Sequence, residues 1–260
     1  MGQLDAARFE QIESSVPNTV HREQAVHDRL QRAALFRIAA AGFAYPEDGH
    51  LQRVLNLFVG LPEMKNTGPS EDLPHVLGLA RRAWEHAVDG PASAEYARLF
   101  LGRALCPPHE TAYGDGRRFA GRTSELADIG GFYSAFGLAL SETQPDLPDH
   151  VAAELEFNSL LLVKTAYADL RGMDEEREIS ENAGRLFLET HLGRWAGAFA
   201  ARLVEEGGAQ PYRAHARFVE ELVSDECRRS SVTPAPFTSL EIGDPMQENE
   251  MICPRDEVSS

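Results

Sequence analysis

Apolar residues return every three or four positions along most of this chain, and that regularity restricts it to helices. Leu35, Ile38, Ala39 and Phe43 fall at offsets 0, 3, 4 and 8. Leu126, Ile129, Tyr133 and Phe136 repeat at 0, 3, 7 and 10, and Leu160, Val163, Tyr167 and Leu170 do the same. Trp195, Phe199 and Leu203 stand four apart, and Tyr212, His215, Val219 and Leu222 form a further stripe. Side chains at this spacing share one face of a helix. No run of alternating apolar and polar residues bounded by hairpin turns accompanies them. The pattern predicts an all-α, single-domain helical bundle.

Gly- and Pro-rich breaks punctuate the stripes at 46–50, 61–74, 89–93, 141–148 and 205–211. The segment 106–124 is long for a structureless link, and such loops often carry function. The first 20 residues are expected to fray, residues 21–229 to form the helical domain, and residues 230–260 to be an extended or disordered acidic tail. Gly137 is placed to end the helix that holds Leu126 to Phe136. Gly130 and Gly131 fall inside that helix, which predicts a close approach by a neighbouring helix to offset their cost.

Charge narrows the function classes. Against 25 Lys and Arg stand 41 Asp and Glu, a formal charge of −16. Such a surface repels phosphate backbones, so no nucleic-acid partner is expected, and it attracts basic peptides. No stretch approaches the roughly 18 uninterrupted apolar residues of a membrane span. The first ten residues carry two acids and no apolar core, unlike a secretory leader. Three cysteines, Cys106, Cys227 and Cys253, do not suggest a disulfide framework, and the expected location is the cytoplasm.

Catalytic motifs are scarce. Glu47 and His50 have di-iron spacing but sit in a turn, His109-Glu110 lacks the second His of a zincin, and Cys106 and His109 lack a matching second pair. No phosphate-binding or nucleophile-elbow motif occurs, so no cofactor, metal or catalytic residue is expected. Two local features remain. Tyr96, Leu99 and Phe100 occupy i, i+3 and i+4 of a short helix that Ser93 would cap, and they read either as core packing or as an exposed apolar ridge. Pro145-Asp146-Leu147-Pro148-Asp149-His150 opens the next long helix, with Asp149 as the expected cap and His150 facing Glu154.

Together these residues resemble a known family, the cytoplasmic chaperones of molybdoenzymes related to dimethyl sulfoxide reductase. The shared elements are Glu95-Tyr96-x-Arg98-Leu99-Phe100-x-Gly102 and Pro107-Pro108-x-Glu110-x-x-Tyr113-Gly114. They continue with Leu126-Ala127-Asp128-Ile129-x-Gly131-Phe132-Tyr133 and Pro148-Asp149-His150-Val151-x-x-Glu154-Leu155-Glu156-Phe157. His191-Leu192-Gly193-Arg194-Trp195, Phe199 and Tyr212 look like the family's last helices. The branch most similar serves type II enzymes that act on dimethylsulfide, ethylbenzene, selenate or chlorate. The resemblance implies a helical protein that binds the immature catalytic subunit, through its twin-arginine signal or apoprotein, until cofactor insertion and assembly are complete.

By that resemblance the client-binding residues are Tyr96, Leu99, Phe100, Asp149 and His150; many relatives have Trp where Tyr96 stands. Physical argument adds Glu154 and Glu156, whose carboxylates suit the guanidinium pair of such a signal. Exposed apolar side chains would bury its greasy part. The chain is expected to be a monomer or a helix-swapped dimer. Two other readings remain open, a helical metal-dependent enzyme using His109, His150 and Glu154, and a permanent accessory subunit of the oxidoreductase.

Overall fold

The computed structural model describes residues 3–61, 69–87, 91–114, 119–139, 147–207 and 209–237, with side chains at 3–20, 91–93 and 119–121 outside the description. The expectations for a frayed start, for a Ser93 cap and for the tail from 238 onward therefore fall on atoms outside the described set. In chain order the helices are α1 (Gln3–Phe43), α2 (His50–Val59), α3 (Leu73–Glu85), α4 (Pro91–Phe100), α5 (Phe119–Ala135), α6 (Val151–Arg171), α7 (Asp174–Thr190), α8 (Leu192–Glu205) and α9 (Gln210–Ser230). A 3-10 turn, Glu110–Ala112, interrupts the long loop after α4. Among the described residues there is no strand, only an isolated antiparallel bridge between His109 and His150. The bundle is all-α.

α1 lies along α6, α6 along α7, and α9 packs against both α3 and α8. The stripes explain most of this. Leu35, Ile38, Ala39 and Phe43 of α1 are buried, as are Trp195, Phe199 and Leu203 of α8 and Tyr212, His215, Val219 and Leu222 of α9. Pro74 and Pro211 stand in the first turns of α3 and α9, where the missing N–H removes nothing. Gly172 ends α6 at φ 67°. Gly137, at φ 77°, follows α5, and the Leu138 N–H reaches back to the Tyr133 carbonyl at 2.9 Å.

One stripe is placed on the wrong face by its periodicity. Val163, Tyr167 and Leu170 are 40%, 57% and 62% exposed, while Leu155, Asn158, Leu162, Thr165 and Ala166 form the buried side of α6. This helix is apolar on several sides, so spacing fixes its period but not which face its neighbours cover. The expected close approach at Gly130 and Gly131 is likewise absent, because a Cβ at either would meet nothing within 4 Å.

An aromatic hub closes one region of the bundle. The ring of Phe43 stands 5.0 Å from both Phe199 and His215, and Tyr212 meets Phe100 at 5.4 Å and Trp84 at 5.6 Å. His215 is its polar pin. The Trp84 indole N–H donates to His215 Nδ1 at 3.2 Å, and His215 Nε2–H donates to the Ala39 carbonyl at 2.9 Å. Burial pushes this imidazole down to about 4, so it stays neutral. Gly42 is required beside it, since a Cβ there would overlap the ring.

Candidate functional site

The short helix α4 leads directly into the loop that the sequence marks out. Tyr96, Leu99 and Phe100 are only 3%, 0% and 4% exposed, so the exposed ridge is corrected to core packing. The cause is the hub, whose rings enclose them: Tyr96 and Phe100 lie 4.9 Å apart, and the Tyr96 hydroxyl donates to the Phe43 carbonyl at 3.3 Å. α4 is thereby anchored, and its last turn fixes the start of the loop through the Cys106 N–H, which donates to the Leu99 carbonyl at 2.8 Å. Burial raises the Cys106 thiol to about 12, leaving it unreactive.

From there the loop runs antiparallel to the segment entering α6. Val151 N–H donates to the Pro108 carbonyl at 2.8 Å, and Glu110 N–H to the Asp149 carbonyl at 3.0 Å. Tyr113 and Tyr133 hydroxyls brace the two segments by donating to the carbonyls of Pro107 and Pro148, at 3.0 and 2.8 Å. Fully buried Asp149 ties them side chain to backbone. Its Oδ2 accepts from Thr111 N–H at 3.1 Å and Thr111 Oγ1–H at 2.6 Å, and its Oδ1 accepts from His109 Nδ1–H at 3.2 Å. Burial works against the charge, but these donors outweigh it and hold the carboxyl below its ordinary range.

Asp149 is therefore not the cap of α6. His150 is, with its Nδ1 accepting from Ala152 N–H at 3.2 Å. A ring nitrogen that accepts there bears no proton, so no cation is forced against the positive end of the helix. The rings of His109 and His150 meet edge to face at 5.2 Å.

Deeper still lies a carboxyl pair. Glu154 is fully buried, its Oε2 accepts from Trp195 Nε1–H at 3.0 Å, and Glu110, also fully buried, is its acidic neighbour. Burial first, and the Glu110 charge second, raise the Glu154 carboxyl well above its ordinary value. Glu110 Oε1 and Glu154 Oε1 meet no other donor. A proton on Glu154, the form its raised pKa favours, would give these oxygens a partner. Glu110 Oε2 accepts from His191 Nδ1–H at 3.1 Å, while His191 Nε2–H reaches Asp128 Oδ2 at 3.1 Å. Burial would discharge this imidazole, but the bond to Glu110 and the two carboxylate charges prevail and raise its pKa. His191 occupies the break between α7 and α8, with a carboxylate against each ring nitrogen.

The result is a largely buried polar knot, open to solvent at Asp128, that joins the loop, the start of α6, α5 and the α7–α8 junction. Asp149, His150 and Glu154 come together in it, Tyr96, Leu99 and Phe100 belong to the adjoining hub, and Glu156 stands apart, exposed on α6. Direct contact between a ligand and the six buried residues is not offered by this conformation. The geometry suits holding a loop in shape, not turning over a substrate. Among the described residues no group of three or more His, Cys, Asp or Glu side chains is placed to hold a metal ion. A cavity of about 460 Å³ opens elsewhere, between α1, α6, α7 and α9. Three of its arginines are already paired, Arg29 with Asp169 and Glu181, Arg32 with Glu226, and Arg229 with Asp225.

Thr111, Glu110, Asp128, His191 and Trp195 were not singled out as site residues from the sequence. Glu110, Asp128, His191 and Trp195 stand inside the motifs that carry the family resemblance, which was the available signal. Their mutual contacts join positions as far as 81 residues apart, and no local spacing encodes that.

Comparison with known proteins now adds weight to these motifs. The pattern of the family described as nitrate reductase delta subunit matches residues 69–201, which include both segments of the knot and His191. A chlorate reductase assembly chaperone from Ideonella dechloratans is 32% identical over 168 residues, covering 62% of this chain and 84% of that protein. A selenate reductase assembly chaperone from Thauera selenatis is 34% identical over 140 residues, 53% of this chain and 68% of that one. A solved structure, a proposed redox enzyme maturation protein from Archaeoglobus fulgidus, covers 74% of this chain and 93% of that one at 20% identity and a TM-score of 0.47.

Proposed function

Because the chain belongs to the nitrate reductase delta subunit family, we propose that it is a system-specific assembly chaperone for the catalytic subunit of a molybdenum-containing oxidoreductase. It binds the immature polypeptide in the cytoplasm, through its twin-arginine signal or apoprotein, and releases it once cofactor insertion has buried the apolar surface it recognises. The client is of the type II class, the reading to which the chlorate and selenate reductase chaperones lend support. The single observation that carries this function is the family match across the knot and its flanking helices, residues 69–201.

The physical chemistry agrees with reversible protein binding. Val163, Tyr167 and Leu170 on α6 and Ile179 and Leu186 on α7 leave large apolar side chains in water. Surface of that kind gains roughly 25 cal/mol per Å² when a partner covers it. The net charge of −16 draws in a basic leader and speeds encounter. Buried Asp149, His150 and Glu154 serve by fixing the loop and the start of α6, and exposed Glu156 is the carboxylate free to meet a guanidinium.

The test is to produce a type II molybdenum-containing oxidoreductase of the source organism with and without this chain, and to measure molybdenum in the purified catalytic subunit. Loading falls sharply without the chaperone if the proposal holds; equal loading overturns it. In the same system the double variant V163E/Y167E weakens capture of the precursor by roughly tenfold, about 1.4 kcal/mol, with helicity unchanged.

A further inference from the structure

Beyond α9 the chain does not run away from the body. Ser231, at φ 54°, reverses it, and Val232 N–H donates to the Cys227 carbonyl at 3.0 Å. Thr233-Pro234-Ala235-Pro236-Phe237 then lies extended across the start of α8 and the loop of the polar knot. Phe237 N–H donates to the Arg194 carbonyl at 3.0 Å, and Arg194 Nε–H donates to the Ala235 carbonyl at 3.3 Å. The Arg194 guanidinium also covers the Phe237 ring at 4.1 Å, within cation–π range.

The surface beneath is cut to receive this segment. A Cβ on Gly193 would lie 2.4 Å from the Leu188 carbonyl oxygen and 2.6 Å from Pro234 Cγ, so the bare backbone serves the tight α7–α8 junction and also leaves room for the proline. A Cβ on Gly114 would overlap the Phe237 ring, and its φ of +60° disfavours any side chain there. Both glycines are carried by the knot: Gly114 follows the turn that holds Glu110 and Thr111, and Gly193 follows His191. Two glycine notches, one main-chain acceptor and one guanidinium thus make a groove that reads an extended segment by a proline and, three residues on, an aromatic ring. Prolines hold such a segment extended in advance, which lowers the entropy cost of docking.

We infer that this groove is a binding surface for an extended Pro-x-x-aromatic segment, that residues 233–237 are its tethered resident, and that such a segment of the immature client displaces them. The client half of this inference rests on the chaperone function proposed above; the groove does not. A tethered resident acts at an effective concentration on the order of millimolar, so it keeps the groove filled against weak ligands and yields only to a better one.

The experiment uses the full-length chain, its Phe237→Ala and Arg194→Ala variants, and a synthetic peptide spanning residues 231–240. Hydrogen exchange reads the resident strap: the amide of residue 237 is protected in the wild type and exchanges freely in both variants. Persisting protection in Phe237→Ala overturns anchoring by that ring. Calorimetry reads the groove: the peptide binds Phe237→Ala and binds wild type at least roughly tenfold more weakly, the signature of internal competition. Equal binding to the two, or no binding to Phe237→Ala once exchange shows its strap released, overturns the groove. Arg194→Ala separates groove from strap, because it frees the strap yet binds the peptide poorly; tight binding there overturns the role of Arg194. Lastly, the unloaded catalytic subunit binds Phe237→Ala severalfold more tightly than wild type. Unchanged client affinity with peptide binding intact overturns displacement by client, whereas no client binding by either protein is a failure of the chaperone reading instead.

Discussion

Two buried histidines, His215 in the aromatic hub and His191 in the polar knot, have their pKa values moved in opposite directions although burial lowers both. His215 sees rings, an indole N–H and a main-chain carbonyl, and burial discharges it to a pKa of about 4. His191 is also lowered by burial, but Glu110 and Asp128 at 3.1 Å on its two nitrogens reverse the sign. Enclosure alone does not decide the charge of an imidazole; the groups placed against it do. The hub is therefore held by shape and one neutral pin. The knot is held by charge, and it gives the loop a form its own sequence would not hold.

The largest effect that tests this contrast is expected at the neutral pin. His215→Phe keeps the ring but strands the Trp84 N–H and the Ala39 carbonyl in the interior, a loss of about 3 kcal/mol in urea unfolding at pH 7. The same variant flattens the acid limb of the stability curve. His215 has a folded pKa below its unfolded one, so its contribution is complete above about 6.5 and is lost as pH falls from there towards 4, about 3 kcal/mol in all. His50, also lowered by burial, leaves a residual slope in the same direction. An acid limb in the variant as steep as in the wild type would show that His215 is not held neutral.

Asp149→Asn is the next largest and should act on the knot alone. Asparagine replaces one of two accepting oxygens with a donor, so either the Thr111 pair or His109 faces a like group. The expected cost is about 2 kcal/mol, with the Thr111 amide exchanging faster and the Trp84 indole environment unchanged. Equal disturbance of both regions would mean that hub and knot form a single unit and that the division drawn between them is artificial.

These two regions also differ in how far they could be read in advance. The hub follows from stripes such as Leu35 to Phe43 and Tyr212 to Leu222, because core faces repeat with the helix. Core packing of Tyr96, Leu99 and Phe100 was one of two open readings, and only the surrounding rings decide it. On α6 the periodic residues Val163, Tyr167 and Leu170 turned out exposed, since the neighbours that select a face come from distant α1 and α7. The knot was legible only as motifs. Asp149 looks like a cap until Thr111, 38 residues away, takes its oxygens, and nothing local pairs Glu110 with His191. The strap over Gly114 was hidden for the same reason, a tail of prolines and acids giving no sign of what it rests on.

The smallest expected effect is the most discriminating. Burial and the neighbouring Glu110 charge favour the protonated form of Glu154, and Glu154→Gln replaces that form with another neutral hydrogen-bonding group. Its carbonyl still accepts from Trp195 and its amide still donates towards Glu110, so the cost at pH 7 stays within about 1 kcal/mol. The sign of the pH dependence then changes in a defined way. A carboxyl whose pKa is raised by folding stabilises while the pH lies below its unfolded value, and that contribution is lost as pH rises through the folded pKa. His191, raised as well, loses its share in the same direction. Wild-type stability is therefore drawn down as pH rises out of the ordinary carboxyl range, opposite in sign to the His215 limb, and Glu154→Gln removes Glu154's part of that decline, so the variant's stability climbs more steeply with pH than the wild type's. If the variant instead costs as much as Asp149→Asn, Glu154 is ionised in the folded protein. The knot would then hold two adjacent buried negative charges, a balance that His191 alone does not supply.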